Sequence, residues 1–246
     1  MAIEIQEVKT KSDLKKFIWF GINLYKNCEF AAPPLMMDDL LNLSKGNPAL
    51  EFCETAYFVA LKDGKIVGRI ACIINPVGNE TWKEKKARFG WVDFIDDKEV
   101  SKALFDTASV WAKSKGMHEL NGPLGFTDFD PEGLLVSGYD QVGTLATIYN
   151  YPYYVQHIED YGFVKDIDWN EYLITIPEVF PEKFFRIAEI VKQKYKLRSL
   201  RFKSRKEVVD NYSLKIFDLL NLCYQHLYGF TKLNEKQIAF YIKWAK

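Results

Sequence analysis

The sequence predicts an α/β (α+β) protein built on a mixed, mostly antiparallel twisted sheet flanked by helices, and three observations carry that expectation. Ala56 to Leu61 and Ile66 to Ile74 are rich in β-branched and aromatic residues and flank Lys62-Asp63-Gly64-Lys65, a tight-turn signal for a β-hairpin. Arg88 to Ile95 reads as a long strand followed by Val100, Leu104, Ala108 and Trp111 at helical spacing. Tyr153 to Tyr161 then forms a helical pattern stopped by Gly162.

The remaining elements follow the same logic. Ile3, Ile5 and Val8 mark a first strand, and Ser12 or Asp13 is placed to cap a helix through Leu14, Phe17, Ile18 and Tyr25. Asn27 to Leu50, with Pro33, Pro34, Gly46 and Pro48, is expected to be irregular around a short helix at Met36 to Leu43. Asp96 or Asp97 starts the helix after the long strand, and Lys113, Lys115 and Gly116 end it. Glu119 to Gly122 is a short buried strand, PLGFTDFDPEG a turn-rich loop, Leu134 to Val136 a short apolar element, and Glu171 to Ile176 a further strand. Pro177 and Pro181 restrict the backbone and set a boundary, dividing the chain into residues 1–178 and 179–246. The second part is expected to hold a helix at Glu182 to Tyr195, a strand at Leu197 to Phe202, a helix from about Tyr212 to Leu227 and a last helix. That last helix carries Ile238, Tyr241, Ile242 and Ala245 as an apolar stripe without an obvious partner in the same part. One strand and three mostly apolar-faced helices make an incomplete second α/β unit, which calls for a longer protein, docking onto the first unit, or a second copy.

Composition narrows the function classes. With 48% hydrophobic residues and 15% aromatics, a packed core is available, and 33 basic residues balance 33 acidic ones, so no overall field recruits nucleic acid or an anionic membrane. No apolar run approaches the ~18 residues of a membrane span, and the first residues lack a signal-peptide pattern, so the expected location is cytoplasmic. Cys28, Cys53, Cys72 and Cys223 are widely spaced, without the CxxC or histidine pairs of a zinc site.

The element order, the hairpin ETAYFVALKDGKIVGRIACIIN and the stretch PYYVQHIEDYGFVKDIDWNEYLI together resemble the GNAT superfamily of acyl-CoA N-acyltransferases over roughly residues 3 to 176. The specific points are Asp63-Gly64, Gly68, Gly162 and Phe163, and the chain is similar to the amino-terminal part of a two-domain bacterial member. The resemblance implies acetyl-CoA or another acyl-CoA as cofactor, acyl transfer to an amine, and a cofactor-binding strand at Trp91, Val92, Asp93, Phe94 and Ile95, with Asn150 nearby. An unpaired strand edge there would offer N–H and C=O groups to the amide-bearing arm of the cofactor. Two positions depart from the family pattern. Where glycines let a helix start cradle pyrophosphate, this chain has Ile95-Asp96-Asp97-Lys98-Glu99-Val100, with three acids and no glycine. Where many members place a tyrosine acid, it has Ile158, so the catalytic candidates become Tyr154, Tyr161 and Glu119. The implied partners are a small-molecule amine or acyl-CoA ligand, with either a homodimer or a further C-terminal domain; the balanced charge and the lack of a long apolar run leave no membrane expected and rank nucleic acid low.

Asp128, Asp130, Glu132 and Gly133 imitate half a calcium loop but place Tyr139 at its closing position, so no metal is expected. Tyr149, Tyr151, Tyr153 and Tyr154 form either a pocket wall or a seal on the sheet edge. Eight basic residues without an acid from Lys192 to Lys206 read as a solvated face. His118, His157 and His226 show no neighbouring triad partners in the sequence. The sequence therefore supports an N-acyltransferase; the alternatives are a catalytically silent GNAT-like domain that binds ligand or supports a catalytic domain outside this chain, and, ranked last, a nucleic-acid-binding module using the basic run from Lys192 to Lys206.

Overall fold

A computed structural model describes residues 2–32, 34–144 and 147–244. Ala245, in the expected stripe of the last helix, and Pro33 lie outside the described residues. The strands are β1 (Glu4–Glu7), β2 (Glu54–Lys62), β3 (Lys65–Ile74), β4 (Lys86–Phe94) and β5 (Glu119–Asn121). The helices are α1 (Lys11–Leu24), α2 (Met36–Asn42), α3 (Pro76–Trp82), α4 (Lys98–Ser114), α5 (Tyr153–Tyr161), α6 (Glu182–Lys194), α7 (Arg205–Tyr224) and α8 (Glu235–Trp244), with a 3-10 turn at Pro48–Glu51. No helix among the described residues is long and apolar enough to cross a membrane.

The sheet runs β1-β2-β3-β4-β5, antiparallel up to β4 and parallel between β4 and β5. This is the mixed, mostly antiparallel sheet expected. Its hairpin turns at Asp63 and Gly64 with φ of 53° and 73°, the left-handed pair that a two-residue turn requires and that Asp-Gly supplies cheaply. Helices cover both faces. Phe17, Ile18, Val59, Ala71 and Ile73 form a core with α1, while Ile70, Phe89, Phe94, Leu104, Phe105 and Ile158 form one with α4 and α5.

Local chemistry fixes the helix ends. The cap of α1 is Thr10, not Ser12 or Asp13: its hydroxyl accepts from the Asp13 N–H while the Asp13 carboxylate accepts from the Thr10 N–H. Asp97 caps α4 by accepting from the Glu99 N–H, and Gly162 ends α5 at φ 107°.

Two expected strands do not form. Glu171 to Ile176 and Leu197 to Phe202 have no ladder partner among the described residues, and every residue from 164 to 206 is exposed. Alternating apolar residues specify a face, but a strand also needs a neighbour for its backbone groups. Helix α3 was not anticipated; Asn75 caps it and Pro76 occupies its first turn.

The stripe on α8 finds its partner within the chain. Ile238 is buried, Tyr241 packs on Phe129 with ring centroids 5.0 Å apart, and Lys236 pairs with Glu51. The Trp82 indole N–H donates to the Phe230 carbonyl at 3.0 Å, and Arg88 donates to the Gly229 carbonyl at 3.3 Å. The chain end thus docks on the sheet-bearing unit.

Candidate functional site

The site grows out of an irregularity in β4. Its pairing with β3 slips between Arg69 and Ala71, so β4 carries one extra residue, and Trp91 stands there at φ 42°. A bulky residue in the left-handed region persists only when its surroundings hold it. Here the Trp91 indole N–H donates to Asp39 Oδ1 at 3.0 Å, and its ring lies 5.6 Å from that of Phe126. The bend turns Asp93 toward the α1 face.

Beyond the bulge, Asp93 organises a buried polar cluster. Its Oδ2 accepts from Arg69 Nε at 2.7 Å, and its Oδ1 accepts from the hydroxyls of Tyr25 at 3.0 Å and Tyr154 at 3.2 Å. The Arg69 guanidinium also donates to the Phe17 carbonyl and lies 5.1 Å from the Phe17 ring centroid. Gly21 makes room for it, since a Cβ there would sit 2.1 Å from the guanidinium. Burial and the Asp93 carboxylate push the Tyr25 and Tyr154 hydroxyls far above the usual tyrosine range.

Strand β5 pairs with β4 only at Lys86, Ala87 and Arg88. The chain then turns across β4: Leu124 N–H donates to the Phe89 carbonyl at 2.7 Å, and a Cβ on Gly90 would lie 2.4 Å from the Leu124 carbonyl oxygen. This approach is why position 90 is glycine. In the crossing loop, Asp130 Oδ2 accepts from the backbone N–H of Phe126 and Thr127. Burial, with Asp39 nearby, raises Asp130 to about 6; burial and Asp128 raise Glu132 to about 7. Carboxyls in that range exchange protons near neutrality. Asp39 is 5% exposed, its Oδ2 has no hydrogen-bond partner among the described residues, and burial raises its pKa too.

The residues singled out from sequence are partly assembled. Asp93, Phe94 and Tyr154 meet directly, since the Tyr154 hydroxyl also accepts from the Phe94 N–H at 3.1 Å. Val92 lies in the core with α4, Ile95 packs beside it, and the Ile95 N–H donates to the Val67 carbonyl. Asn150 is buried with its amide spent on Leu135 and Tyr151. Glu119 pairs with Lys86 at the sheet edge, and Tyr161 donates to Asp106 on α4 at 3.0 Å. Neither joins the Asp93 cluster. The four tyrosines split: Tyr153 and Tyr154 bind the backbone of Phe94, while Tyr151 stacks on Tyr25 at 5.1 Å. Arg69, Asp39, Tyr25 and the Asp130–Glu132 pair were missed. A charge inside the apolar run of β3 was the available signal for Arg69.

One grouping revises the reading of the histidines. His157 Nδ1 is 2.9 Å from Ser101 Oγ and its Nε2 3.0 Å from Asp96 Oδ1, so a Ser–His–Asp chain does exist. Its burial is inverted for catalysis: Ser101 and His157 are 3% and 4% exposed, whereas the Asp96 side chain is 68% exposed. A hydroxyl without access to substrate is no nucleophile; the chain ties α5 to the start of α4.

The residues around the start of α4 do not fit a coenzyme A diphosphate. Asp97 occupies the N-terminal amide of Glu99 and pairs with Lys62, Asp96 lies beside His157, and no glycine lets the backbone approach a phosphate. The Phe94 N–H and C=O, which the resemblance leaves free for the cofactor arm, are bonded to Tyr154 and Tyr153.

No family model matches the chain. Protein YghO of Escherichia coli (strain K12) is 30% identical over 230 residues, covering 93% of this chain and 58% of that protein. A bacterial ceramide synthase of Caulobacter vibrioides is 26% identical over 241 residues, covering 96% of this chain and 61% of that enzyme. Among solved structures, an aminoglycoside acetyltransferase from an uncultured soil metagenomic sample, in complex with sisomicin, superposes with a TM-score of 0.43. It shares 14% identity and covers 71% of this chain and 97% of that one. The chain is similar to YghO and to the ceramide synthase over nearly all of its own length, and spans about three fifths of theirs.

Proposed function

We propose that this chain is part of an N-acyltransferase of the GNAT type, acting on an amine, and that residues 1–178 supply its scaffold and acceptor side. The observation that carries the reading is the parting of β4 from β5 after Arg88, beside a bulge at Trp91. The carboxyl of Glu132, which burial and Asp128 raise to about 7, supports it, because an amine must lose a proton before it attacks a carbonyl. The name of the Caulobacter relative supports it further, since ceramide formation acylates the amine of a long-chain amino alcohol. The acceptor is accordingly read as a lipid-like primary amine, and the acyl donor as an acyl-CoA.

A second reading, a silent domain that supports catalysis elsewhere, is favoured by the occupied backbone of Phe94 and the acids starting α4. One pair of measurements decides between them. Calorimetric titration compares acetyl-CoA with S-acetylpantetheine, which lacks the diphosphate, and mass spectrometry follows N-acylation of a long-chain amino alcohol. Product formation supports the enzyme; binding of both donors without product supports the silent domain. Acetyl-CoA binding tenfold or more tighter than S-acetylpantetheine contradicts the lack of fit at α4.

A further inference from the structure

Residues 164 to 206 carry exposed apolar surface that the site does not use. Leu173, Ile174 and Ile176 are 96%, 80% and 74% exposed, and Phe184, Ile187 and Val191 line one face of α6, which has no buried residue. Scattered surface leucines are ordinary, but exposed apolar residues clustered on one segment and one helix face mark an interface. Its pattern says what kind. The alternating segment Glu171–Ile176, helix α6 and the segment Leu197–Phe202 follow one another through the short connections 177–181 and 195–196. A six-residue strand and a 13-residue helix each span about 20 Å, so the pieces match in length. Short connections and matched lengths are the properties of a strand–helix–strand crossover, whose two strands run parallel.

Such a unit is not stable alone. Two strands give a helix too little sheet to cover, and parallel strands are found with both faces buried. The missing strands are not in the five-stranded sheet described above, whose β5 edge is three residues long and leaves 171–176 unpaired. We propose that residues 171–202 are one strand–helix–strand unit of a second α/β sheet, completed by a further segment of polypeptide of the kind both curated relatives carry outside the region they share with this chain. That segment presents an open strand edge and an apolar sheet face. It carries acidic side chains opposite the five basic residues of the unit from Lys192 to Arg201. About two fifths of each relative lies outside the shared region, enough for such a sheet. The proposal narrows the scaffold of the acyl-transfer reading, since it takes 171–176 out of residues 1–178.

Hydrogen exchange read by mass spectrometry tests it on this 246-residue chain and on full-length YghO. The amides of 171–176 and 197–202 are expected to exchange at nearly free-peptide rates in this chain, with light scattering run alongside to establish its oligomeric state. The aligned segments of YghO are expected to be slowed at least ~100-fold. Unprotected segments in YghO overturn the proposal. So does protection in this chain alone, which would mean a self-contained fold if monomeric and a second copy as the occupant if dimeric. A folded-state control uses Ile174→Glu: its melting temperature should stay within ~1 °C of the parent, since an exposed substitution changes little. A clear loss means Ile174 is already covered, and the proposal fails.

Discussion

Arg69 and Asp93 meet at 2.7 Å with their side chains only 5% and 10% exposed, on neighbouring strands at the bulge in β4. The pair is joined to α1 through Phe17 and to α5 through Tyr154, so four elements converge on two charges. Removing one partner leaves the other uncompensated in the interior. Arg69→Ala is expected to cost about 3–5 kcal/mol in urea unfolding, and Arg69→Met with Asp93→Leu together less than either single change. Single variants as stable as the parent would show the pair to be hydrated in solution.

Tyr154→Phe removes one hydroxyl that serves Asp93, Tyr25 and the Phe94 N–H. The expected loss is about 1–3 kcal/mol, because a buried donor is left unpaired. Tyr161→Phe, at a part-buried hydroxyl beside Asp106 and Ser109, should lose less. Equal losses would contradict the distinction between the two positions.

Gly90→Ala places a methyl group 2.4 Å from a backbone oxygen of the crossing loop, which cannot rotate away. A loss of about 1–3 kcal/mol is expected from the forced shift. Gly46→Ala, where the nearest atom is a leucine methyl at 3.4 Å, serves as the tolerated control in the same melting series.

The pH dependence has a definite sign. Asp130 and Glu132 have folded values of about 6 and 7, above 3.8 and 4.5, so the folded state holds extra protons between about pH 4 and 7. Their contribution is fully present below pH 4 and is lost as pH rises through that window. Asp39 and Asp128, also raised, act in the same direction. Urea midpoints should therefore fall from pH 5 to 7.5, and Glu132→Gln should flatten the slope. A slope of the opposite sign, or one unaffected by Glu132→Gln, would count against this assignment.

The Ser101–His157–Asp96 chain should be chemically silent. A fluorophosphonate probe is expected to leave Ser101 unlabelled in the folded protein, as judged by peptide mass spectrometry, because its hydroxyl is shut in between α4 and α5. Labelling there would assign a hydrolytic role instead.

The sequence was most legible where local chemistry decides. Asp63-Gly64 forces the hairpin turn, Asp97 caps α4, and Gly162 stops α5, and none needs information from elsewhere in the chain. The parts that failed depend on distant neighbours. Strands are expected at 171–176 and 197–202, yet pairing requires another backbone alongside. The site was less legible for the same reason. Asp39 reaches Trp91 across 52 positions and Arg69 reaches Phe17 across 52, separations that no spacing rule covers. Asp93 and Tyr154 were picked out by resemblance, but their meeting with Tyr25 required the folded chain.

The docking of the last two helices has a consequence for how the chain would come apart. Their loop and helix hold to Trp82, Arg88, Glu51 and Phe129, while 164–206 touches little and is fully open to a protease. A nick anywhere in that stretch would break the covalent chain without releasing its tail. The two fragments would travel together through a sizing column and part only in denaturant, so the last helices belong to the first sheet mechanically even though the sequence sets them beyond a boundary.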